Sequence, residues 1–473
     1  MAVIHKSDDP ESLLDLWCKE SDDIFQSKRV SDSKSAFGDF VSGDTRCLAV
    51  EYSYIQYYKP NNPPITLLAI YFRHDDTVYF TITASNESLR AGFSELPYSL
   101  DAIENFICIN DLPILLLGAP LTLETVYIDK PWGHEIWYTG IEERGVSCVT
   151  DGTNSTPLPW VLSAAPNRLA ADREKQINLL KILDPLPDSM CGDLYFELHE
   201  KKQEAYVVVD INKDSWPNSI GGVRYGFDDE LRRTFSSKDD FYFAYKKAVE
   251  AYRTIRKTID NQLDVYRQKE GFLLDEALPT KITSKWIALL PEAWVSKEKE
   301  LRAKMDYFTS ILPVKVGDVV KIPLLTPHGL LHGVRVVEFQ TPVYERLIIS
   351  FNQKTLTQNH WDTDKALNVM TEVLDPPPIL TVIQENSDYI VEEVAVFKDF
   401  RVSRITIMAQ SSYRLPIENN YRLLLVIKGN VDCSGVLAEK ECGLFLPADL
   451  QDVNIQNHES CPSILLLASP ICE

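Results

Sequence analysis

Two short stretches of the sequence place side chains that can bind a metal among alternating apolar residues. The first runs over residues 192–209 and contains Glu197, His199 and Glu204. The second is a Gly-x5-Pro-x4-His segment, which predicts a hairpin closed by His328. Glu197 and His199 are two residues apart in a strand pattern, so their side chains should point to the same face. Carboxylate and imidazole ligands together suit zinc or another divalent transition ion. We therefore predict one metal site formed by Glu197, His199, Glu204 and His328.

A surface hairpin with a charged rim is the alternative for the first stretch, because Glu200, Lys201 and Lys202 would be solvated there. The alternating pattern predicts a hairpin over residues 192–210, with a buried strand at 206–209. The second stretch, with His328 at a matching spacing, favours the metal site. We expect His332 to be a hydrogen-bonded rim histidine rather than a ligand.

A helical block interrupts the strand pattern between these two stretches. Residues 228–310 change to helical period, and apolar and aromatic residues from Phe241 to Tyr266 recur at three- and four-residue steps. Residues 121–227 before the block and 311–375 after it are strand-like, so one β domain should continue across the insertion. The insertion would then separate the ligand stretches in sequence but not in space.

The flanking regions carry no concentration of reactive side chains. Residues 1–120 predict a short helix over 10–19 and several strands, which indicates a β-rich unit for packing or assembly, of unknown role. Residues 375–378 (Asp-Pro-Pro-Pro) predict a linker. In residues 379–473, the segment 443–447 repeats the glycine-to-proline pattern of 317–323 without a following histidine, which predicts a second barrel without a metal site.

Composition limits the classes of partner. A chain of 473 residues can form two or three domains with full cores. Its net charge of −21 argues against nucleic acid, although a few local cations could still bind a small phosphorylated substrate. No apolar run has the length of a membrane span, and the N-terminal residues lack a signal-peptide core. The nine cysteines form no metal-binding pairs; Cys433 and Cys442 could meet across a hairpin, but free thiols are favoured. We expect a cytoplasmic protein with no membrane partner.

The two stretches, taken in order, resemble the paired motifs of the cupin superfamily, in which a small β-barrel holds one metal on inward-facing side chains. A narrower resemblance is to the type I mannose-6-phosphate isomerase family, and it extends from about residue 128 to about residue 370, leaving residues 1–120 uncovered. Its matching segments are Lys130-Pro-Trp-Gly133, Lys202-x-Glu204-x-Tyr206-Val-Val, Thr326-Pro-His328, Gly333-Val-Arg-Val-Val-Glu338-Phe-Gln340, Tyr344-Glu-Arg346 and Trp361-Asp-Thr-Asp364-Lys365-Ala366-Leu367.

The resemblance implies a mainly β fold with a helical insertion, a metal-binding central cupin barrel and a degenerate C-terminal cupin barrel. It implies an aldose-ketose isomerase that interconverts mannose 6-phosphate and fructose 6-phosphate through an enediol. The four predicted ligands would hold Zn2+, and the predicted catalytic residues are Lys202, Arg346 and Glu338. Lys202 and Arg346 would stabilise the enediolate or bind phosphate. The partner would be a small-molecule sugar or sugar phosphate, and a homodimer is compatible with the sequence.

Departures from the family pattern leave alternatives open. Glu197 stands where the family has Gln, and Pro342 stands where it has an acid four residues before Arg346. The base is therefore open between Glu338 and Glu345, either of which could instead pair with Arg346 across strands. His134 replaces the second glycine after Lys-Pro-Trp. Competing hypotheses are an isomerase of another or unphosphorylated sugar, an iron-dependent cupin oxygenase, and a sugar-binding or assembly cupin without turnover.

Overall fold

The computed structural model describes residues 3–28, 47–97, 99–276, 278, 280–356, 358, 360–372, 374, 376 and 379–471. Of the predicted linker, Asp375, Pro377 and Pro378 lie outside the described residues. The described cysteines are free thiols, Cys433 and Cys442 among them. Within the described part of the chain, no helix has both the length and the apolar character to cross a membrane.

Strands predominate along the chain. The elements before the first ligand stretch are, in order, β1 (Ile4–Lys6), α1 (Pro10–Lys28), β2 (Cys47–Ile55), β3 (Pro64–His74), β4 (Thr77–Ala84), α2 (Glu87–Ser94), α3 (Leu100–Ile109), β5 (Leu115–Leu116), β6 (Leu121–Glu124), β7 (Val126–Lys130), β8 (Gly133–Trp137), β9 (Ile141–Glu142), β10 (Gly145–Val146), β11 (Cys148–Thr150), β12 (Ser155–Pro157), α4 (Leu158–Ala164), α5 (Pro166–Ala170) and β13 (Leu179–Pro185). The next are β14 (Phe196–Leu198), β15 (Glu204–Ile211), β16 (Gly221–Phe227), α6 (Asp229–Arg233), α7 (Lys238–Glu270), α8 (Thr280–Ile287), α9 (Glu292–Asp306), β17 (Thr309–Val314), β18 (Val319–Ile322), β19 (His328–Leu330), β20 (Val334–Gln340), β21 (Leu347–Ser350) and α10 (Thr363–Val369). The last are β22 (Thr381–Glu385), β23 (Tyr389–Val396), β24 (Phe400–Ile407), β25 (Ser412–Arg414), β26 (Arg422–Lys428), β27 (Val431–Cys433), β28 (Val436–Ala438), β29 (Gly443–Leu446), β30 (Asn454–Gln456) and β31 (Ser463–Pro470).

The chain divides into two compact units. The terminal unit comprises residues 1–126, 138–177 and 381–473, and the central unit comprises 127–137 and 178–380. This division differs from the predicted boundary at residue 121, because β6 pairs with β29 of the C-terminal region. Strand pairing, which joins segments remote in sequence, therefore groups residues 121–126 and 138–177 with the C-terminal strands.

The central unit has two antiparallel sheets. One has the order β18-β15-β20-β13-β8-β7, and the other has the order β17-β16-β19-β14-β21. Side chains from both sheets share one core, to which the first contributes Tyr206 and Val336 and the second contributes Val223, Leu330 and Ile348. The described strands of the central unit form hydrogen-bonded ladders only within these two separate sheets. The mainly β prediction is confirmed, but the expected barrel is not found as a closed sheet among the described strands.

Both ligand stretches cross from one sheet to the other, so the predicted hairpins are wrong. β14 pairs with β19 and β21, whereas β15 pairs with β18 and β20. The second stretch behaves in the same way, because β18 and β19 also lie in different sheets. The backbone N–H of Leu325 donates to the carbonyl oxygen of His199 at 2.7 Å, which ties the two crossing segments together.

The helical region packs on the outer face of the sheet that contains β14 and β19. In α7, Ser237 caps the N-terminus by accepting from Asp240 N–H, and Gly271 closes the C-terminus at φ 84°. The buried face of α7 packs against Phe196, Leu198 and other outward-facing residues of that sheet. Since side chains alternate along a strand, Glu197 points to the opposite, inner face.

Among its described residues the terminal unit contains three larger sheets and the two-stranded sheet β10-β9. The five-stranded sheet β1-β2-β3-β4-β5 packs with α2 and α3 around an apolar core that includes Phe72, Phe93 and Ile107. A nine-stranded sheet (β12-β11-β6-β29-β26-β31-β24-β23-β22) and a four-stranded sheet (β25-β30-β27-β28) enclose a second core around Leu424, Leu444 and Ile455.

Candidate metal centre

Two buried imidazoles face each other where the crossing segments meet. His199 and His328 are each 1% exposed, and their ring centroids are 5.1 Å apart. Nδ1 of His199 donates to the carbonyl oxygen of Glu345 at 2.9 Å, and Nδ1 of His328 donates to the carbonyl oxygen of Thr326 at 2.9 Å. Because a carbonyl oxygen only accepts, the proton of each ring is held at Nδ1, and the Nε2 lone pair is available to a metal.

The predicted carboxylates lie at the Nε2 atoms of these rings. Glu204 is 1% exposed; its Oε1 lies 3.3 Å from Nε2 of His199 and its Oε2 lies 3.2 Å from Nε2 of His328. Oε1 of Glu197 lies 3.9 Å from Nε2 of His199. Glu197, His199 and His328 can each offer a ligand atom such that all three atoms lie within 4.8 Å of one another. The structure thus brings all four predicted ligands to one place.

The donor set fits a divalent transition ion. Nε2 of His199 and Oε2 of Glu197 are buried and make no hydrogen bond to any described residue. Leaving such atoms without a partner is costly in a protein interior. Two imidazole nitrogens and two carboxylates match the ligand types and number of a zinc site.

Electrostatics keep His199 and Glu204 in the forms that bind a metal. Burial and the charge of Lys202 lower the pKa of His199, so its imidazole is neutral near pH 7. Burial opposes ionisation of Glu204, but the positive charge of Lys202 beside it holds the pKa of Glu204 well below its usual range. Glu204 therefore carries a negative charge even though it is buried.

Two of the three predicted catalytic residues pair directly with predicted ligands. Nζ of Lys202 lies 2.6 Å from Oε1 of Glu204. Nη1 of Arg346 lies 3.7 Å from Oε2 of Glu197, and its guanidinium carbon lies 4.1 Å from the ring centroid of Tyr195. The cross-strand pairs considered from sequence for Arg346 were with Glu338 or Glu345, whereas the structure places it against Glu197.

Glu338, the third predicted catalytic residue, is 2% exposed and lies 2.9 Å from Nζ of Lys181. Burial and the charge of Glu204 raise the pKa of Glu338 to about 8. The alternative base, Glu345, has another role, because its carboxylate accepts a hydrogen bond from the backbone N–H of Lys201 at 2.8 Å.

Three charged residues that the sequence reasoning missed extend this pocket. Lys181 stands opposite Glu338 in the strand register and lies 3.5 Å from Glu135, which also binds Lys130 at 3.1 Å. The two lysines, with a hydrogen bond from Trp137, hold the pKa of Glu135 below its usual range although burial opposes it. The sequence gives one signal for Lys181, which is a single lysine within the apolar run Leu179-Leu-Lys181-Ile-Leu.

His332 lies apart from the imidazole pair. Its Nδ1 is 2.7 Å from Oδ1 of Asp193, and its ring stacks on Trp216 with a centroid distance of 4.9 Å. The structure thus gives it the hydrogen-bonded role expected of a rim histidine.

Close backbone packing explains two glycines of the ligand stretches. A Cβ at Gly192 would lie 2.0 Å from the carbonyl oxygen of Leu186, and one at Gly329 would lie 2.5 Å from that of Tyr195. Both distances are well inside van der Waals contact, so a side chain at either position would push these segments apart. Gly329 directly follows His328, so its close approach helps to place that imidazole.

Comparisons with known proteins give matches only among solved structures. No protein-family model and no curated protein matches the chain. A mannose 6-phosphate isomerase from Bacillus subtilis is 14% identical, with 74% of this chain and 99% of that chain covered and a TM-score of 0.49. A zinc-bound mannose 6-phosphate isomerase is 12% identical, covering 75% of this chain and 100% of the other, with a TM-score of 0.49. The apo mannose 6-phosphate isomerase of Salmonella typhimurium is 12% identical over 75% of this chain and 100% of its own, with a TM-score of 0.47. At this level of similarity, function has to be argued from the side chains of this chain.

Proposed function

We propose that the protein is a metal-dependent aldose-ketose isomerase, with mannose 6-phosphate and fructose 6-phosphate as its substrate pair. One observation carries the proposal. Two buried imidazoles from opposite sides of the helical insertion, each held by a backbone carbonyl, present Nε2 to the same carboxylate in a pocket that also contains Lys202, Arg346 and Glu338. Isomerisation through an enediol needs an acid-base group and stabilisation of the oxyanion that develops, and this pocket supplies residues for both.

The metal would be held by Glu197, His199, Glu204 and His328. When bound, a divalent ion polarises substrate oxygens and stabilises negative charge that develops on them. Neutral imidazoles and ionised carboxylates are the states that these four side chains need for that purpose.

Glu338 is the proposed acid-base group. In the aldose-to-ketose direction the base removes the proton from C2, the C2–H electron pair forms the C1–C2 double bond, and the carbonyl pair moves to O1. O1 takes up a proton and O2 gives one up, the O2–H electron pair forms the new C2 carbonyl, and the C1–C2 pair takes the returned proton at C1. Protons and electrons balance, so no external oxidant or reductant is needed. Glu338 lies next to Lys181, whose ammonium group can stabilise the carboxylate when it gives up the proton.

Lys202 and Arg346 are proposed to bind oxyanions. Lys202 is held beside Glu204, where its ammonium group can counter charge on the enediolate. Arg346 is fixed between Glu197 and the Tyr195 ring, and its planar guanidinium suits a phosphate or enediolate oxygen.

The ion pairs of the pocket favour a second candidate, an isomerase of an unphosphorylated sugar. Each pocket carboxylate already has a cation beside it, in the pairs Glu135 with Lys130, Glu338 with Lys181, Glu204 with Lys202 and Glu197 with Arg346. Glu197 in particular engages the arginine that would otherwise face a phosphate group. A free aldose has no phosphate group and does not need that arginine for binding.

The test is a metal-replete isomerase assay over mannose 6-phosphate, other aldose phosphates and free aldoses, with metal content measured in parallel. We expect about one ion per chain and formation of the matching ketose, fastest with mannose 6-phosphate. Fastest turnover with a free aldose would select the second candidate. Metal-replete protein that converts none of these sugars would refute the isomerase proposal.

A further inference from the structure

The terminal unit buries an arginine without a direct counter-charge. Arg422, the first residue of β26, is 1% exposed. Its Nη1 donates to the carbonyl oxygen of Pro416 at 2.7 Å, but Nε and Nη2 are buried and have no hydrogen-bond partner among the described residues. A guanidinium group remains charged in proteins, so the unpaired positive charge and unmade hydrogen bonds cost stability. Burial lowers the pKa of Arg422, because it disfavours the charged form of the guanidinium group.

The two partnerless nitrogens form one edge of the guanidinium group. Nε–H and one N–H of Nη2 point in parallel, and this pair is a donor fork that binds two oxygens of a carboxylate or phosphate. The single bond that Arg422 makes uses the other terminal nitrogen, Nη1. An oxyanion beside the fork would satisfy both donors at once.

The strand register puts a second arginine on the same face. Leu423 pairs with Ala468, so Arg422 stands opposite Ser469, and Ser469 pairs with Arg401 on its other side. Residues directly opposite each other in antiparallel strands project to the same face. At this end of the sheet two arginines therefore flank a serine, on the face that carries the core residue Leu424.

The neighbouring carboxylate, that of Glu418, does not bind the donor fork of Arg422. Glu418 hydrogen-bonds Arg401 and acts on Arg422 only through space. Glu418 and Pro416 belong to the irregular connection between β25 and β26, in which Ile417 is 65% exposed. Arg422 contacts this connection through its hydrogen bond to Pro416.

We propose that Arg422 is the centre of a binding site for a small oxyanion in the terminal unit, with Arg401 and Ser469 beside it. The proposal is independent of the metal centre and of the isomerase activity. The ligand class is a phosphate, free or as a monoester of a small molecule, or another small oxyanion with two oxygens for the fork.

The test measures thermal stability of the full-length protein against inorganic phosphate and against glycerol phosphate, at constant ionic strength set with chloride. The wild type should show a saturable rise in Tm with at least one of the two anions. Arg422→Lys keeps the charge but lacks the fork, so its apparent affinity should fall roughly tenfold, the loss of about one charge-assisted hydrogen bond. Arg422→Met should lose the response at this site and keep or gain Tm without phosphate, because replacing an uncompensated buried ion with an apolar side chain removes its desolvation cost. Arg414→Met is the matched control, since Arg414 is 72% exposed and pairs with Asp452 at the surface.

Hydrogen exchange on the wild type locates the site and does not depend on whether the variants fold. Phosphate should slow exchange in residues 415–424 while the control peptides of β27 and β28 are unchanged. A response in Arg422→Met equal to that of the wild type would overturn the proposal. So would phosphate protection confined to the central unit, or no saturable effect of either anion on the wild type.

Discussion

The orientation of the two histidines is the decisive feature at the scale of single residues. Each ring gives its Nδ1 proton to a backbone carbonyl, so neither ring can turn without breaking that bond. The sequence predicts the orientation of the two histidine rings only in part. The two-residue spacing of Glu197 and His199 predicts that they share a face, but no local pattern shows that Glu345, remote in the chain, supplies the carbonyl that fixes His199.

Replacing His199 should remove the metal and the activity together. We expect His199→Ala to lose stoichiometric metal, all measurable turnover, and the rise in Tm that zinc gives the wild type. At a zinc concentration a hundred times Kd, zinc binding should raise the unfolding free energy of the wild type by about 2.7 kcal/mol, and its Tm rises with it. The control is His360→Ala, because the His360 side chain is 66% exposed. Unchanged activity or metal content in His199→Ala would contradict the assignment.

Replacing Arg346 should separate catalysis from metal binding. Arg346 contacts Glu197 at a distance of 3.7 Å but is not itself a ligand. We expect Arg346→Ala to keep its metal, measured by elemental analysis, while kcat falls by about 10²-fold, as for the loss of one oxyanion-binding group. Metal loss in this variant would show instead that Arg346 holds Glu197 in place for coordination.

Missed residues show where single-residue reasoning stops. Lys181, Glu135 and Lys130 are isolated charges in β13, β8 and β7, and only the pairing of these neighbouring strands brings them together. The alternation of apolar residues predicted each strand but not its neighbours in the sheet. Glu338 was found because it lies in a segment that resembles a known family.

At the scale of elements, the crossing of both ligand stretches between the sheets builds the site. The predicted hairpins failed because apolar alternation is the same whether consecutive strands pair with each other or join different sheets. The helical insertion was easier to predict, since the three- and four-residue spacing from Phe241 onward is set within one element. The structure confirms that spacing as the buried face of α7.

Close approach of β19 to the Tyr195 backbone makes Gly329 sensitive to any side chain. We expect Gly329→Ala to lower the unfolding free energy by about 1–3 kcal/mol, the usual range for overpacking, and to weaken metal binding by displacing His328. Denaturant melts and zinc titration measure the two effects. Gly92→Ala is the control, because the added Cβ would meet only Phe106 at an ordinary 3.4 Å within α2. Equal behaviour of the two variants would contradict the steric account.

Asp193 joins segments from before and after the insertion. It accepts from the backbone N–H and Nδ1 of His332 and from Asn352. Although burial opposes ionisation, these contacts and the charge of Arg224 lower the pKa of Asp193.

Because the folded pKa lies below the unfolded one, the carboxylate's contribution to stability is full above about pH 4, near the unfolded Asp pKa, and is lost as pH falls through the lower folded pKa. Asp193→Asn should therefore be less stable than the wild type at pH 7 by about 1.5–3 kcal/mol. The deficit should shrink as pH falls below about 4, which urea melts at several pH values would show. A deficit that grows with acidity would contradict this role.

At the scale of the whole molecule, the insertion makes metal binding a property of the folded chain. Glu197 to Glu204 and His328 lie on opposite sides of α6–α9 in sequence, and they meet only when β14 pairs with β19. A net charge of −21 adds general attraction for cations, so metal retention alone is a weak test. The position of the bound ion is the stronger test.

Anomalous diffraction from crystals of the zinc-replete protein, recorded at the zinc absorption edge, tests the central claim most directly. The account predicts one strong peak per chain, about 2.0–2.1 Å from Nε2 of both His199 and His328, with carboxylate oxygens completing the coordination. A peak elsewhere, or imidazole nitrogens too far apart to share one ion, would contradict it.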